Sequence, residues 1–118
     1  MIGNVLVALV ALEHLWFLVL EMFLWQKPIG LKAFRQTPER AAVTATLAAN
    51  QGLYNGFLAA GLIWSLIAPP ALATPLREFF LSCVVVAGAF GAFTVSRRIF
   101  FLQAVPALLA LLVGRYAS

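Results

Sequence analysis

The stretch IGNVLVALVALEHLWFLVLEMFLW (residues 2–25) decides the fold. Roughly 20 mostly apolar residues in helical form cross the ~30 Å hydrocarbon layer of a bilayer, and this run is long enough. Its ionisable side chains are Glu13, His14 and Glu21. It does not read as a signal peptide: it lacks a basic n-region, the apolar run is too long, and a glutamate–histidine pair interrupts it. A retained first membrane span is expected. Three further apolar runs follow, at about 44–67, 79–95 and 99–114. The last two are short and are expected to use flanking arginines that snorkel to the interface. Period-2 alternation is absent, and leucine and alanine dominate, so strands are not expected.

Composition agrees. The chain has 118 residues, 64% apolar and 10% charged, with a mean hydropathy of +1.00. Soluble domains run about 45–50% apolar and about 25% charged, and a soluble domain of this size could not hide that much apolar surface in one core. Disordered chains are poor in these same residues. The expectation is an all-α integral membrane protein, a four-helix bundle formed by residues 1–118 as one domain. The single cysteine, Cys83, excludes an intramolecular disulfide and a CxxC pair, and reads as a buried hydrophobe. One histidine and no aspartate exclude a multi-histidine zinc site, and neither a metal nor a cofactor is expected. The net charge of +4 comes from cations in short gaps between apolar runs, where they meet lipid head groups. No continuous basic face with aromatic platforms is present, so nucleic acid is not an expected partner.

Orientation follows from the same cations. Lys27, Lys32, Arg35 and Arg40 lie between spans one and two, and Arg97 and Arg98 between spans three and four. Together they put six on one side, against Arg77 and Arg115 on the other. The positive-inside rule places both termini on the non-cytoplasmic side and the two basic loops in the cytoplasm, and argues against dual insertion. Pro28 and Gly30 are expected to break the first helix, with residues 31–35 lying in the interface. Thr37-Pro38-Glu39 reads as N-cap, N1 proline and early acid, so the second helix is expected to start near Pro38, beyond the bilayer. Residues 68–75, rich in proline, read as a turn. Pro106 is expected to kink the last span and free the Leu102 carbonyl, with Gln103 as its partner. Internal repeats are absent, which weakens an inverted-repeat transporter reading.

Polar groups inside the spans are the informative feature, since each is costly unless paired or wet. At 100° per residue His14 and Glu21 fall within about 20° of each other, with Glu13 about 100° from His14. On the second span Asn50, Gln51, Tyr54 and Asn55 spread over about 140°. With the two helices antiparallel, Glu21 is expected near the level of Asn50 and Gln51, and Glu13 and His14 near Asn55 and Gly56. Glu21 is also within reach of a lysine such as Lys27. Trp16 lies near the polar layer and could wall a pocket, while Trp25 and Trp64 read as belt or packing residues. Ala48, Gly52, Gly56 and Ala60 form a small-residue stripe opposite Asn50 and Tyr54, as do Ala87/Gly91 and Gly88/Ala92 on the third span, within one bundle or between subunits.

The segments ALEHLWFLVLEMFLW (11–25) and LAANQGLYNGFLAAGLIW (47–64) resemble a family of small bacterial membrane proteins catalogued as domain of unknown function 1304. The resemblance covers essentially the whole chain. It implies four membrane helices and brings no assigned activity and no site residues.

The residues themselves suggest a site for a lipophilic small molecule between the first two spans, with isomerase-like acid/base chemistry. Carboxyl and imidazole groups in low dielectric have perturbed acidities, which suits proton transfer. Glu13 and His14 would handle the proton; Glu21, Asn50, Gln51, Tyr54, Asn55 and Trp16 would hold the ligand or orient the acid. Two other classes stay open: a small proton-coupled transporter acting as a homodimer across the glycine stripe, and an accessory subunit of a larger membrane complex.

Overall fold

A computed structural model describes residues 1–94, 98 and 100–116. Val95, Arg97 and Ile99, which bear on the third connection and on two span ends, lie outside the described residues. The described chain is helical: α1 (Ile2–Met22), α2 (Pro28–Phe34), α3 (Pro38–Ile67), α4 (Pro70–Thr94), a π-helical turn (Phe100–Ala104) and α5 (Val105–Tyr116). No strand occurs among the described residues.

Two of these helices, α1 and α4, are long and apolar enough to cross a membrane. At 1.5 Å per residue the 21 residues of α1 measure about 31 Å. With 30 residues α3 is longer still, but Asn50, Gln51, Tyr54 and Asn55 dilute its apolar character. Residues 101–114 form a shorter apolar helix.

Helix ends differ from the sequence expectation in two places. Pro28 is the first residue of α2 rather than only a breaker, and Gly30 lies inside that helix. A proline at N1 loses nothing, because that N–H has no intrahelical partner. Likewise, residues 68–75 are not one long turn. Only Ala68 and Pro69 link α3 to α4, which begins at Pro70 and continues through Pro75. The Pro69 carbonyl accepts hydrogen bonds from the Leu72 and Ala73 amides at 2.9 and 2.8 Å, closing the first turn. Pro75, so near the start, forfeits only the one bond to the Ala71 carbonyl. The start of α3 is as expected: the Arg40 amide donates to Thr37 Oγ1 at 3.2 Å, an N-cap bond ahead of Pro38. The π-helical turn ends at Ala104, two residues before Pro106, and such a widened turn gives room for a carbonyl that a proline ring would otherwise meet.

The chain forms two compact units, residues 1–12 with 58–118, and residues 13–57. In the first, Val7, Val10 and Ala11 of α1, Leu62 of α3, Leu81 and Val84 of α4, and Ala107 and Ala110 of α5 meet in one apolar core. Gly88 lets α4 close on the π-helical turn, since a Cβ there would lie 2.7 Å from the Ala104 amide nitrogen. Arg77 of α4 donates a hydrogen bond to Asn4 Oδ1 of α1.

The second unit holds the end of α1, all of α2 and the first two-thirds of α3. Here α1 ends in a loosened turn, with the Leu24 amide bonded to the Val19 carbonyl five residues back. Lys27, ahead of a proline, is extended (φ −81°, ψ 160°) and starts α2. The end of α2 is a Schellman closure: Arg35 is left-handed (φ 53°), its amide reaches the Lys32 carbonyl, and the Gln36 amide reaches Leu31. The Trp25 ring lies 4.8 Å from that of Phe34, centroid to centroid, and its Nε1 donates to Thr44 Oγ1 at 3.2 Å. One indole, from the turn after α1, therefore contacts both α2 and α3.

Gly30 is the tightest point of this corner, because a Cβ there would sit 1.9 Å from the Leu24 carbonyl oxygen. Backbone cannot yield as a flexible side chain does. Gly30→Ala is expected to lower unfolding stability in detergent by about 1–3 kcal/mol, the usual range for overpacking. Gly114→Ala, whose added Cβ would meet ordinary contact at 3.8 Å from Arg77 Cδ, is expected to keep or gain stability. Equal effects of the two substitutions would refute the close approach at Gly30.

Candidate functional site

Within residues 13–57, α1 and α3 meet through a row of small residues. Ala48 is buried, and a Cβ on Gly52 would lie 2.7 Å from Met22 Cγ, 3.1 Å from Glu21 Cβ and 3.3 Å from the Leu18 carbonyl oxygen. On Gly56 it would lie 2.7 Å from Leu18 Cδ1. Small residues in this row let two helix backbones approach closely. For Gly52 and Gly56 the neighbour in this strip is α1 of the same chain.

The close approach puts Glu21, in the last turn of α1, against α3. Its carboxyl group is answered from both sides: Gln51 Nε2 donates to Oε2 and Asn55 Nδ2 donates to Oε1. Glu21 is 2% exposed and Asn55 7%. A buried carboxyl without partners costs several kcal/mol, whereas hydrogen bonds to a charged group contribute about 1.5–3 kcal/mol each. Gln51 and Asn55 are one helical turn apart, and the two oxygens of one carboxyl bridge that turn.

The expected level matching therefore holds for Glu21 with Gln51 and shifts for Asn55, which joins Glu21 instead of the Glu13–His14 level. A wheel explains the shift. Asn55 lies about 20–60° from Ala48 and Gly52, in the strip that faces α1, whereas Asn50 and Tyr54 lie more than 100° away. Both of these are exposed, Tyr54 with its ring 5.7 Å from Phe57, and Trp16 is exposed as well. The structure brings together Glu21, Gln51 and Asn55; Asn50, Tyr54 and Trp16 lie apart from them.

Glu13 and His14 form a second polar element two turns earlier on α1. His14 is fully buried, its ring edge-on to Phe17 at 5.3 Å, and Glu13 Oε1 lies 4.0 Å from His14 Nδ1. That oxygen is buried and makes no hydrogen bond among the described residues. A carboxyl and an imidazole at this separation can share a proton through a small side-chain movement.

Beside Glu21 lies a half-open cavity of about 360 Å³. Its wall consists of Glu21, Met22, Phe23, Trp25, Gln26 and Lys27 from the end of α1 and the following turn, with Ala45 of α3. Neither Glu13 nor His14 is part of that wall. Lys27 shares the wall with Glu21, and no ion pair joins the two among the described residues. Except for Glu21, and for Lys27 as its reachable cation, sequence reasoning missed these residues. The proline at 28 was the available signal, since a chain that turns directly after Trp25 must leave its last aromatics at a helix corner. No group of three or more metal-ligating side chains occurs among the described residues.

Comparison with known proteins adds a family. Residues 8–114 match the family model described as protein of unknown function DUF1304. The chain is 32% identical, over 111 residues and 92% of each chain, to a Lactococcus lactis subsp. lactis (strain IL1403) protein named "Uncharacterized protein YpaA". No solved structure matches. The chain belongs to the DUF1304 family.

Removal of a donor from Glu21 should be costly and local. Asn55→Leu is expected to destabilise the protein by about 1–3 kcal/mol, the cost of a buried acceptor left unanswered. Tyr54→Phe, on the exposed side of the same turn, should change stability by less than about 0.5 kcal/mol. Unfolding titrations in one detergent decide the matter, and an Asn55→Leu variant as stable as Tyr54→Phe would contradict the assignment.

Proposed function

We propose that this chain is a multi-pass protein of the bacterial inner (plasma) membrane, a four-helix bundle whose polar site on α1 and α3 binds a lipophilic small molecule. The membrane reading is supported by the distribution of side chains on α1. Its exposed stripe is Val5, Leu9, Leu12 and Trp16, while the buried positions include His14 and Glu21. Val7, Val10, Ala11 and Leu20 are buried with them, and a water-soluble surface helix would instead carry polar residues on its exposed face. The apolar windows of α1 and α4 are only 33% and 17% buried, far less than a soluble core helix would be. On the cation count, both termini lie on the non-cytoplasmic side, with Lys27, Lys32, Arg35 and Arg40 facing the cytoplasm.

The observation that carries the site is Glu21: a buried residue whose carboxyl is held by two amides and which is among the residues lining a cavity of about 360 Å³. Small-molecule pockets are about 300–1,000 Å³, and this volume falls within that range. Intramembrane carboxyls are costly enough that function is the first hypothesis for them. In this reading Gln51 and Asn55 fix the Glu21 carboxyl and Glu21 orients the ligand; isomerase-like acid/base chemistry at the Glu13–His14 pair, which is not part of the cavity wall, requires a ligand long enough to extend along α1 to that level. The homodimeric transporter is less well supported, since α1 already lies against Gly52 and Gly56 of the stripe that was to form its interface.

Native mass spectrometry of protein released from nanodiscs tests this. Wild type is expected to retain a defined lipophilic adduct, Glu21→Gln to lose it, and Glu13→Gln to keep it. An adduct-free wild type, or an adduct indifferent to Glu21, would refute the site. For the orientation, a C-terminal alkaline phosphatase fusion should be active in cells; an inactive, stably made fusion would invert the topology.

A further inference from the structure

The chemistry of the cavity wall narrows the ligand class. Glu21 is almost wholly buried, and both groups that bond it, Gln51 and Asn55, are neutral amides. They satisfy its lone pairs and bring no positive charge. The cation on the same wall, Lys27, is exposed and not in ion-pair contact with Glu21 among the described residues. The rest of the wall is Met22, Phe23, Trp25, Gln26 and Ala45, and the Trp25 ring is held in place by its bond to Thr44. Aromatic faces attract ammonium groups, the more so where water is scarce.

We propose that this cavity takes a lipophilic amine, an apolar chain or ring with one basic nitrogen, whose ammonium pairs with Glu21. This rests on the ligand-site reading above and specifies its occupant. The same ion pair forms whether the amine arrives protonated or takes its proton from the Glu21 carboxyl, so charge and protons balance in both cases. A neutral alcohol of the same length forms no ion pair with Glu21, whichever protonation state the carboxyl has. An anionic amphiphile finds Lys27 on the wall but must bring a second negative charge beside Glu21. Lys27 acts as a like charge against the amine, and its exposure to water keeps that opposition modest.

Trp25 reports on its own cavity. In a Trp16→Phe/Trp64→Phe background, which removes two exposed indoles, the remaining tryptophan lines the site. Its fluorescence is titrated in nanodiscs with dodecylamine, dodecanol and dodecanoate. Dodecylamine is expected to bind saturably and about ten-fold more tightly than dodecanol, the worth of one modest ion pair. Glu21→Gln should bring that preference below about three-fold, and Lys27→Gln should tighten the amine about two- to three-fold. Equal binding of amine and alcohol would overturn the amine assignment and leave the lipophilic site standing. Tightest binding of dodecanoate would overturn it in favour of Lys27 as the anchor. Absence of saturable binding by all three probes would remove the site itself. If circular dichroism shows that Glu21→Gln does not fold, Lys27→Gln decides alone: amine binding unchanged or weakened in that variant overturns the proposal.

Discussion

A carboxyl group sealed from water must be met by donors from the protein, and Glu21 is met by two, both from α3. Much of the unit formed by residues 13–57 follows from this requirement. For Gln51 and Asn55 to reach one carboxyl, the α3 backbone must come close to α1, and Ala48, Gly52 and Gly56 leave the room. Larger side chains in that strip would part the helices and strand the carboxyl. Small residues and polar residues on α3 thus serve one contact, with Asn55 set among the small residues and not on a separate polar face.

The corner beyond Glu21 depends on the same approach. Where α1 ends, the chain turns at once through Pro28 into α2, and Gly30 lets α2 lie against the Leu24 carbonyl. Trp25, between Phe34 and Thr44, fixes the corner to α3. The cavity is what this corner leaves unfilled. It places an acid, an ammonium and two aromatic rings around one space, an arrangement suited to selecting a ligand by charge as well as by apolar surface.

Helical class, the apolar character of α1 and the N-cap at Thr37 were legible because each depends on residues close in sequence. Family membership was legible in residues 11–25 and 47–64. The candidate site was legible in part: Glu21 and Gln51 were placed at one level by counting rise per residue, while Asn50, Tyr54 and Trp16 were drawn in and lie exposed. The reason is angular. An arc of about 140° on a helix includes positions that face a neighbour and positions that face away, and only packing shows where the neighbour lies. The cavity was not legible, since it arises from a turn geometry that Pro28 and Gly30 permit without dictating. The proline-rich stretch at 68–75 misled for a related reason, because prolines in the first turns of a helix start it more readily than they break it.

The central claim is that Glu21 and Asn55 are energetically one unit joining α1 to α3. A double-mutant cycle on Glu21→Gln and Asn55→Leu, measured as reversible unfolding in lipid bicelles, tests it most directly. The account predicts a coupling of about 1–3 kcal/mol, above the ~0.6 kcal/mol average of interhelical hydrogen bonds in membranes. Additivity within about 0.3–0.5 kcal/mol, the behaviour of independent sites, would contradict it.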